Sequence, residues 1–407
     1  MTKLNELIQQ LCPDGVEYKT LGSFATISRG GDFQKKDFRD DGFPCIHYGQ
    51  IYTKYGLFVD KTVSFISPAC ASKQKTASKN DIIIAVTSEN IEDVCKCLVW
   101  LGDGEVAVSG HSAIIRHSQN PKYLAYYFHS RMFFDQKRKL AHGTKVIEVT
   151  PDKLASVKIP LPPIEVQREI VRILDNFTEL TAELTAELTA RKKQYEYYRD
   201  KLLAYNYDVE LFTISDIAET SIGLATSVSQ HKRENGVILL HNSDIQQNKI
   251  VLKTVEYISK EFAQKNKKKV LRKGDIITVH TGDVGTSAVI DDEYDGAIGF
   301  TTITTRIKDT ARVNPYFLCH YLNSHKCKQD IASMTISDRS NLNQKSFNTI
   351  QIPVPPLEIQ NRIVNVLDNF DAICSDLKIG LPAEIAARQK QYEYYRDKLL
   401  TFKELGA

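Results

Sequence analysis

The sequence predicts an α+β protein in which two similar strand-rich domains alternate with two long helical segments. Two internal repeats support this prediction. The stretch IPLPPIEVQREIVRILDNF at 159–177 returns as IPVPPLEIQNRIVNVLDNF at 352–370, and QYEYYRDKLL at 194–203 recurs letter for letter at 391–400. A repeat of this length indicates a duplicated architecture with an internal pseudo-twofold relation.

Upstream of these stretches the two copies agree only in their skeleton, so the repeat includes a domain whose surface has diverged. IHYGQI at 46–51 aligns with LHNSDI at 240–245, and NPKYL at 120–124 aligns with NPYFL at 314–318. The predicted boundaries place domains and helical segments alternately, at 1–157, 158–208, 209–350 and 351–407.

Composition limits the class of protein. The 407 residues include 53 Lys and Arg against 50 Asp and Glu, a net charge of +3, and 42% are hydrophobic. These values are typical of an ordinary globular chain, and they exclude a uniformly basic coat and a disordered polymer. Apolar runs such as Ile82 to Val86 are far shorter than a membrane span, and the first ten residues lack a signal-peptide core. We therefore expect a cytoplasmic protein without membrane contact, with its eight cysteines reduced.

The diverged domains have the pattern of small sheets covered by helices. Short β-branched runs at Asp81–Thr87, Ala113–Ile115 and Asp275–Val279 are separated by Gly, Asn and Asp turn signals. Each Asn-Pro pair is a helix start, because Asn can cap and Pro suits the first helical position. We expect one helix at Tyr123–Lys139 and one at Tyr316–Asp330.

The first conserved segment has the pattern of one long helix. After a Pro-Pro pair, apolar or aromatic residues recur in alternating steps of three and four from Ile170 to Tyr205. The exception is TAELTAELTA, where Leu180, Leu184 and Leu188 are four apart, as in a coiled-coil stutter. The pattern predicts about 40 helical residues, roughly 60 Å long. The second copy breaks at Gly380-Leu381-Pro382, which predicts two helices there.

An apolar stripe this narrow needs a partner, and the duplicate segment is the nearest one. Antiparallel pairing of the two segments as a coiled coil would place the two domains at opposite ends of a rod. The alternative is that each helix packs only on its own domain. The length of the stripe argues against this alternative, because a small domain could not cover it.

No motif of an enzyme active site stands out. The sequence has neither G-x-G-x-x-G nor a P-loop. Asn314-Pro315-Tyr316 resembles part of an amino-methyltransferase motif but lacks its second proline, and Asn120-Pro121-Lys122 at the matching place favours helix starts. Glu17-Tyr18-Lys19 could belong to a nuclease, but the second copy lacks the lysine. A catalytic triad assembled only in space stays open, and we predict no catalytic residue.

Metal binding is also not favoured by the sequence. Cys319-His320, His325-x-Cys327 and Cys95-x-Cys97 do not have the usual spacing of zinc ligands. We expect buried thiols and surface histidines at these positions, and no metal site.

Basic residues concentrate in the diverged domains. Residues 16–157 hold 19 basic and 15 acidic side chains, a net +4, whereas residues 158–208 hold 8 and 9, a net −1. This distribution suits phosphate contact by two separate modules. A solvated surface is the alternative for any single run; the runs are Lys73-x-Lys75, Lys137-Arg138-Lys139, Lys265-x-Lys267-Lys268-Lys269 and Arg272-Lys273.

The complete arrangement resembles the DNA-specificity subunit of type I restriction-modification systems. Divergent domains alternate with near-identical helices, I-P-[LV]-P-P-[IL]-E-[VI]-Q stands at each domain exit, and TAEL repeats fill the first helical segment, as in one subgroup of the family. The resemblance implies a subunit without catalysis or cofactor, in which each domain is a target-recognition domain for half of a split site in double-stranded DNA. It also implies two modification subunits that bind S-adenosylmethionine and methylate adenine, and restriction motor-nuclease subunits in the full complex.

Polar residues in three loops of each domain are the candidates for base contact, since direct readout uses polar groups at base edges. A role as a turn or cap residue is equally open for each of them. In the first domain the candidates are His47, Tyr48 and Gln50, then Thr87 and Ser88, then Gly143, Thr144 and Lys145. In the second domain they are His241, Asn242 and Asp244, then Thr281 and Gly282, then Arg339, Ser340 and Asn341.

The sequence is also compatible with two other classes of function. One is a DNA methyltransferase or nuclease in its own right, which binding of S-adenosylmethionine by the purified chain alone would distinguish. A duplicated coiled-coil adaptor for protein partners would lack salt-dependent affinity for DNA.

Overall fold

The computed structural model describes residues 2–204, 209–334, 341–375 and 379–406. The chain forms two compact units. Unit 1 contains residues 1–184 and 385–407, and unit 2 contains residues 185–384. Each unit therefore draws on both conserved segments, because the boundary between the units falls inside a helix of each segment.

The described residues of unit 1 form seven short α-helices around its strands, one long helix that continues into unit 2, and a helix near the end of the chain. The helices are α1 (Thr2–Leu11), α2 (Leu21–Phe24), α3 (Tyr48–Thr53), α4 (Pro68–Ala71), α5 (Pro121–Phe128), α6 (Arg131–Leu140), α7 (Pro151–Ala155), α8 (Ile164–Leu203) and α15 (Leu381–Leu399). The strands are β1 (Tyr18–Thr20), β2 (Ala25–Arg29), β3 (Phe43–Ile46), β4 (Phe58–Val59), β5 (Phe65–Ile66), β6 (Thr76–Ala77), β7 (Ile82–Ala85), β8 (Thr87–Ser88), β9 (Cys97–Trp100), β10 (Val106–Val108), β11 (Ser112–His117), β12 (Ile147–Glu148) and β13 (Lys158–Pro160).

The main sheet of unit 1 has five strands in the order β2-β11-β7-β9-β4, and a second sheet has the order β5-β3-β10-β6. Strand β7 is buried on both faces, which explains its uninterrupted apolar sequence. Ile82 and Ile84 face the cluster that contains Tyr123 and Tyr127 of α5. Ile83 faces the cluster formed with the second sheet. The predicted strands at Asp81–Thr87 and Ala113–Ile115 are confirmed by this sheet.

Unit 2 repeats this plan with small differences. Its other helices are α9 (Ile214–Ile217), α10 (Lys260–Lys265), α11 (Pro315–Leu322), α12 (His325–Met334), α13 (Gln344–Asn348) and α14 (Leu357–Ser375). Its strands are β14 (Leu211–Thr213), β15 (Ala218–Ile222), β16 (Lys232–Arg233), β17 (Val237–Leu240), β18 (Ile245–Gln246), β19 (Lys249–Ile250), β20 (Tyr257–Ile258), β21 (Ile276–Val279), β22 (Ser287–Val289), β23 (Ile298–Gly299), β24 (Thr302–Ile307) and β25 (Gln351–Pro353).

The order β15-β24-β21-β22 in unit 2 matches β2-β11-β7-β9 in unit 1. Strand β21 is again divided between two clusters, with Ile276 facing the helices and Ile277 facing the second sheet. Unit 1 adds β4, which runs parallel to β9, whereas unit 2 has the β18-β19 hairpin. The α+β class and the internal repeat of two strand-rich domains are therefore confirmed.

The Asn-Pro pairs start helices as expected, but each start leads to two helices rather than one. The Oδ1 atoms of Asn120 and Asn314 accept backbone N–H groups in the first turns of α5 and α11. The single helices predicted at Tyr123–Lys139 and Tyr316–Asp330 are wrong. Ser130 ends the first one, because its hydroxyl accepts the N–H of Phe133 and so starts a new helix; Ser324 acts in the same way before α12.

The conserved segments have the predicted helical form. Helix α8 is 40 residues long without interruption. The second segment is divided into α14 and α15, and α15 begins directly after Gly380, whose carbonyl accepts the N–H of Ala383. No helix in the described ranges is long and apolar enough to cross a membrane. All eight cysteines are free, and six of them are buried.

Each unit pairs a stretch of one conserved segment with a stretch of the other. In unit 1, Phe177 of α8 stacks on Tyr395 of α15 with ring centroids 5.4 Å apart. In unit 2, Tyr198 of α8 stacks on Phe370 of α14 at 5.9 Å. The predicted alternative, in which each helix packs only on its own domain, is therefore wrong.

The two copies of the decapeptide QYEYYRDKLL make equivalent contacts in the two units. The Oδ1 atom of Asp397 accepts the N–H of Arg131 at the start of α6 at 3.1 Å, and the Oδ1 atom of Asp200 accepts the N–H of His325 at the start of α12 at 3.0 Å. Leu400 and Leu203, the last residues of the two decapeptide copies, are both buried. The buried and capping positions of the decapeptide are thus fixed by equivalent contacts in the two units.

Candidate nucleic-acid interface

Three predicted loops of unit 1 lie beyond the carboxyl end of the interior strand β7, at one end of the main sheet. The segment after β7 forms β8, which pairs antiparallel with β12, so that Thr87 lies opposite Glu148 and Ser88 opposite Ile147. The hydroxyl of Tyr52 in α3 donates to the carbonyl of Thr87 at 2.6 Å. We call this arrangement of α3, β8 and β12 the sheet edge of unit 1.

A cavity of about 310 Å³ opens at the sheet edge of unit 1. Three predicted residues, Tyr48, Thr87 and Ser88, line it. The other lining residues were not predicted from the sequence, because they lie outside the stretches that align between the two copies. These residues are Tyr52, Glu89, Asn90, Asp93, His111 and Val146.

His47 and Gln50 hold the start of α3. The Nδ1 atom of His47 accepts the N–H of Gly49 at 3.2 Å, and the backbone N–H of His47 donates to Oε1 of Gln50 at 2.9 Å. Gln50 then donates to the hydroxyl of Ser64 at 2.6 Å. Both side chains are less than one tenth exposed, and burial together with Lys35 and His111 lowers the pKa of His47. The capping role is thus observed for this pair, whereas contact with DNA stays a prediction.

The third loop of unit 1 presents exposed side chains on a constrained backbone. Gly143 has a φ of +104°, and a β-carbon there would collide with the carbonyl of Val146, so the turn requires glycine. Thr144 and Lys145 are exposed. Arg29 fixes the far side of this loop, because its guanidinium contacts Glu148 at 3.0 Å and the carbonyl of Gly110 at 2.8 Å.

In unit 2 the first loop is held by its own side chains. The backbone N–H of His241 donates to Oδ2 of Asp244 at 2.8 Å, and Asp244 is 4% exposed. The Nε2 atom of His241 lies 3.1 Å from Glu256, which also contacts Lys232 at 2.7 Å. Hydrogen bonds from Lys232, which has the larger effect, and from His241 lower the pKa of the Glu256 carboxyl.

Asn242 joins the first loop of unit 2 to the strands. Its Oδ1 atom accepts the backbone N–H of His280 at 3.0 Å, and its amide donates to Thr301 at 3.2 Å. Thr281 forms an antiparallel bridge with Asn341 and donates its hydroxyl to Asn341 Oδ1 at 2.9 Å. Asn242, Thr281 and Asn341 form the sheet edge of unit 2, at positions equivalent to those of the sheet edge of unit 1.

Three other predicted residues of unit 2 border this edge or fall outside the described residues. Gly282, next to Thr281, has a φ of +102°, and a β-carbon there would meet open space. Arg339 and Ser340 lie outside the described residues.

The basic runs are partly structural. The ammonium group of Lys137 is buried and donates to the carbonyls of Glu92 and Val94 at 2.9 and 2.6 Å, and burial lowers its pKa. Lys269 donates to the carbonyl of Gly223 at 2.7 Å, and Lys273 contacts Asp292 at 2.8 Å. The number of lysines and arginines in a run is therefore larger than the number of their cationic groups that face solvent.

The residues considered as catalytic or metal-binding have structural partners. His320 was expected at the surface, but it is buried, and its Nε2 atom lies 2.8 Å from Asp368. Lys19 contacts Glu17 at 3.0 Å, and the hydroxyl of Tyr18 donates to the carbonyl of Phe402. Burial raises the pKa of the Cys95 thiol to about 12, which is the environment of an inert thiol. Within the described ranges, no group of three or more His, Cys, Asp or Glu residues could hold a metal ion.

Comparison with known proteins gives a consistent result. A protein of Haemophilus influenzae named as a type I restriction enzyme specificity subunit is 32% identical over 318 residues, which cover 74% of this chain and 77% of that protein. The EcoR124I/EcoR124II specificity subunit of Escherichia coli is 36% identical over 263 residues, which cover 60% of this chain and 63% of that protein.

Solved structures agree in fold. A chain from a study of complex assembly and conformational transition in the type I restriction-modification system matches 96% of this chain and 98% of its own length, with a TM-score of 0.67 and 21% identity. The S subunit of a type I system from M. genitalium matches 95% of this chain and 96% of its own length, with a TM-score of 0.52 and 16% identity.

The family model described as the type I restriction modification DNA specificity domain matches the chain twice, at residues 13–191 and 206–387. The two matches correspond to the two copies of the internal repeat. Together they cover most of the 407 residues. The chain therefore belongs to the family of DNA-specificity subunits of type I restriction-modification systems.

Proposed function

We propose that this specificity subunit reads a split DNA site, with unit 1 recognising one half and unit 2 the other. It carries out no reaction itself and brings modification subunits to the site. The base pairs between the two halves are left unread, because base contacts come only from the two sheet edges.

One observation carries the proposal: both units have the same sheet edge, but its side chains differ. Thr87 and Thr281 follow equivalent strands and lie opposite equivalent residues, Glu148 and Asn341. Tyr48 in unit 1 corresponds to Asn242 in unit 2. A constant backbone with variable polar groups suits two readers of different sequences, since specificity depends on donors and acceptors that face the base edges.

The conserved helices suit the recruitment of two identical partners. Tyr197 and Tyr394 occupy the same position of the identical decapeptide, and each is 60% exposed. Each ring also contacts the ring of the next tyrosine in the decapeptide, at 5.4 Å for Tyr197 and 5.2 Å for Tyr394. Lys201 and Lys398 lie beside these rings at 5.8 and 5.7 Å. An exposed aromatic residue repeated in both copies favours one kind of partner bound twice, and we propose that this partner is the modification subunit.

We assign the cofactor and the chemistry to those partners. The modification subunits bind S-adenosylmethionine and methylate adenine, and restriction motor-nuclease subunits complete the assembly. The purified chain alone is expected to bind DNA in a salt-dependent manner but not S-adenosylmethionine, which isothermal titration can test. Binding of S-adenosylmethionine by the chain alone would favour a methyltransferase acting by itself.

Exchange of a domain tests the division of the site. Residues 16–157 are replaced by the equivalent region of another family member, and methylated adenines are mapped in a host that expresses the complete complex. We expect one half-site to change while the other half and the gap stay the same. A change in both halves would contradict the proposal.

Recruitment is tested separately with Tyr197→Ala, Tyr394→Ala and the double variant. We expect one modification subunit to be lost from each single variant and both from the double variant, measured by the mass of the purified complex. The matched control is Glu187→Gln, an exposed position on the same helix. Full assembly of the double variant would place the docking surface elsewhere.

A further inference from the structure

Each unit carries a histidine whose ring is tied to the threonine of its sheet edge. In unit 1 the Nδ1 atom of His111 lies 3.0 Å from Oγ1 of Thr87. In unit 2 the Nδ1 atom of His280 lies 2.9 Å from Oγ1 of Thr281. The two threonines are equivalent, because each is the second residue after the matching strands β7 and β21.

The two histidines, in contrast, come from different positions of the repeat. His111 directly precedes β11, and the equivalent residue before β24 is Thr301. His280 directly follows β21, and the equivalent residue after β7 is the buried Val86. The duplicated framework therefore does not require a histidine at either place. The two units nevertheless place an imidazole against the same threonine.

Both rings leave one nitrogen available. His111 is exposed, and its ring centroid lies 4.9 Å from that of Tyr48 at the cavity of unit 1. His280 is half-buried, and Asn242 holds its backbone. Within the described ranges, Nε2 of neither ring has a hydrogen-bond partner.

We propose that His111 and His280 are specificity-determining residues, each of which reads one base pair through Nε2 while its threonine fixes the ring. The inference rests on the proposed function, since it names residues that perform the reading. It adds two histidines that the alignment of the two copies did not nominate.

The hydrogen bonds around His280 determine which base edge it reads. A neutral imidazole has one N–H, and a threonine hydroxyl has one hydrogen to donate. Thr281 donates that hydrogen to Asn341 Oδ1, so Nδ1–H of His280 must donate to Thr281 Oγ1. Nε2 of His280 is then an acceptor. In the major groove an acceptor pairs with the exocyclic amino group of adenine or cytosine.

Burial lowers the pKa of His280, which favours the neutral ring near pH 7. For His111 the hydroxyl of Thr87 can donate or accept. Nε2 of His111 can therefore be either a donor or an acceptor. Nε2 of His280 is an acceptor only, so it pairs with an amino group.

The first test compares the methylated sequences of the complete complex carrying His111→Ala, His280→Ala or the control His325→Ala, an exposed histidine on α12. We expect each of the first two variants to relax one base pair of one half-site by about fivefold, the value of one net hydrogen bond. The control should leave both halves unchanged. Unchanged specificity in an assembled, active His280→Ala complex would overturn the inference for His280.

Thr281→Val gives a second variant that keeps the imidazole but removes its tether. It should relax the same base pair as His280→Ala, because a ring that rotates freely no longer holds Nε2 in place. Relaxation of a different base pair would show that Thr281 reads DNA itself and does not position His280.

The second test uses synthetic DNA with a base analogue that lacks the exocyclic amino group at the base pair found in the first test. We expect the wild-type complex to lose about fivefold in affinity and the His280→Ala complex to lose nothing further. Equal losses in both complexes would contradict the reading by His280. Failure here, alongside a successful domain exchange, would refute the histidine inference and leave the proposed function intact.

Discussion

Deletion of one TAEL unit, residues 181–184, should shorten the unread gap without altering either half-site. The deleted TAEL repeat lies in the middle of α8, which is helical throughout. Leu180, Leu184 and Leu188 are half-buried along one side, so Leu188 would take the place of Leu184 and the apolar stripe would continue. The deletion is therefore expected to change the length of the helix and leave both sheet edges folded.

The geometry of the two helices sets the size of the effect. Four α-helical residues span about 6 Å and turn about 400°, a net rotation of about 40°. One base pair of B-DNA rises about 3.4 Å and turns roughly 34–36°. The rise corresponds to nearly two base pairs, but the rotation corresponds to about one. Rotation dominates, because a sheet edge turned away from the groove makes no base contacts at all, whereas a mismatch of a few ångströms can be absorbed by bending.

The assay is a map of methylated adenines in cells that express the complex with wild-type or shortened subunit. We expect both half-sites to be retained with one base pair fewer between them. The control is Thr181→Ala/Glu183→Gln, which alters the same unit at constant length and should keep the gap. A gap shortened by two base pairs, or a changed half-site, would refute the reasoning from rotation.

Three further predictions concern stability and salt dependence. Asp397→Ala and Asp200→Ala should each cost about 1 kcal/mol in the urea-induced unfolding of unit 1 and unit 2, respectively, because each removes the side-chain acceptor at a helix start; equal effects of either variant on both units would contradict this. Burial lowers the pKa of His129 from 6.5 to about 4, so the stability that depends on the neutral ring is complete above pH 6.5 and is lost as the pH falls toward 4; about 2 kcal/mol should disappear between pH 7.5 and 5, and His129→Gln should flatten this part of the urea-unfolding profile. Lys145→Ala should weaken binding to all DNA sequences alike and lower the slope of log affinity against log salt by about 1, measured by fluorescence anisotropy, whereas a change in sequence preference would indicate base contact.

Features that depend on local periodicity could be predicted from the sequence. The uninterrupted helix of 40 residues follows from its apolar spacing, and the break before α15 follows from Gly380 and Pro382. The starts of α5 and α11 follow from Asn-Pro. The duplication could be predicted because two copies were present to compare.

Features that depend on distant contacts could not be predicted. The hydroxyl of Tyr52 donates to the carbonyl of Thr87, a residue far from it in the sequence. His47 and Gln50 look like surface residues of a polar loop, yet they bond to each other and to Ser64. His111 reaches the sheet edge only because β11 pairs with β7. The contacts of Gln50 with Ser64 and of His111 with Thr87 join residues that are far apart in the chain, so the spacing of residues along the chain does not specify them.

Unit 1 is built from two stretches of chain, residues 1–184 and 385–407, and this affects the order in which the protein can fold during synthesis. Val16 exchanges backbone hydrogen bonds with Lys403 and Leu405, and Leu400 is part of the core of unit 1. Unit 2 can close once residue 384 has left the ribosome, but unit 1 must wait for residues 385–406. The 200 residues of unit 2 take about 10–40 s to translate at roughly 5–20 residues per second. Throughout that interval the nascent first half exposes the apolar surface that Leu400 will cover, and it is then a substrate for chaperones and proteases.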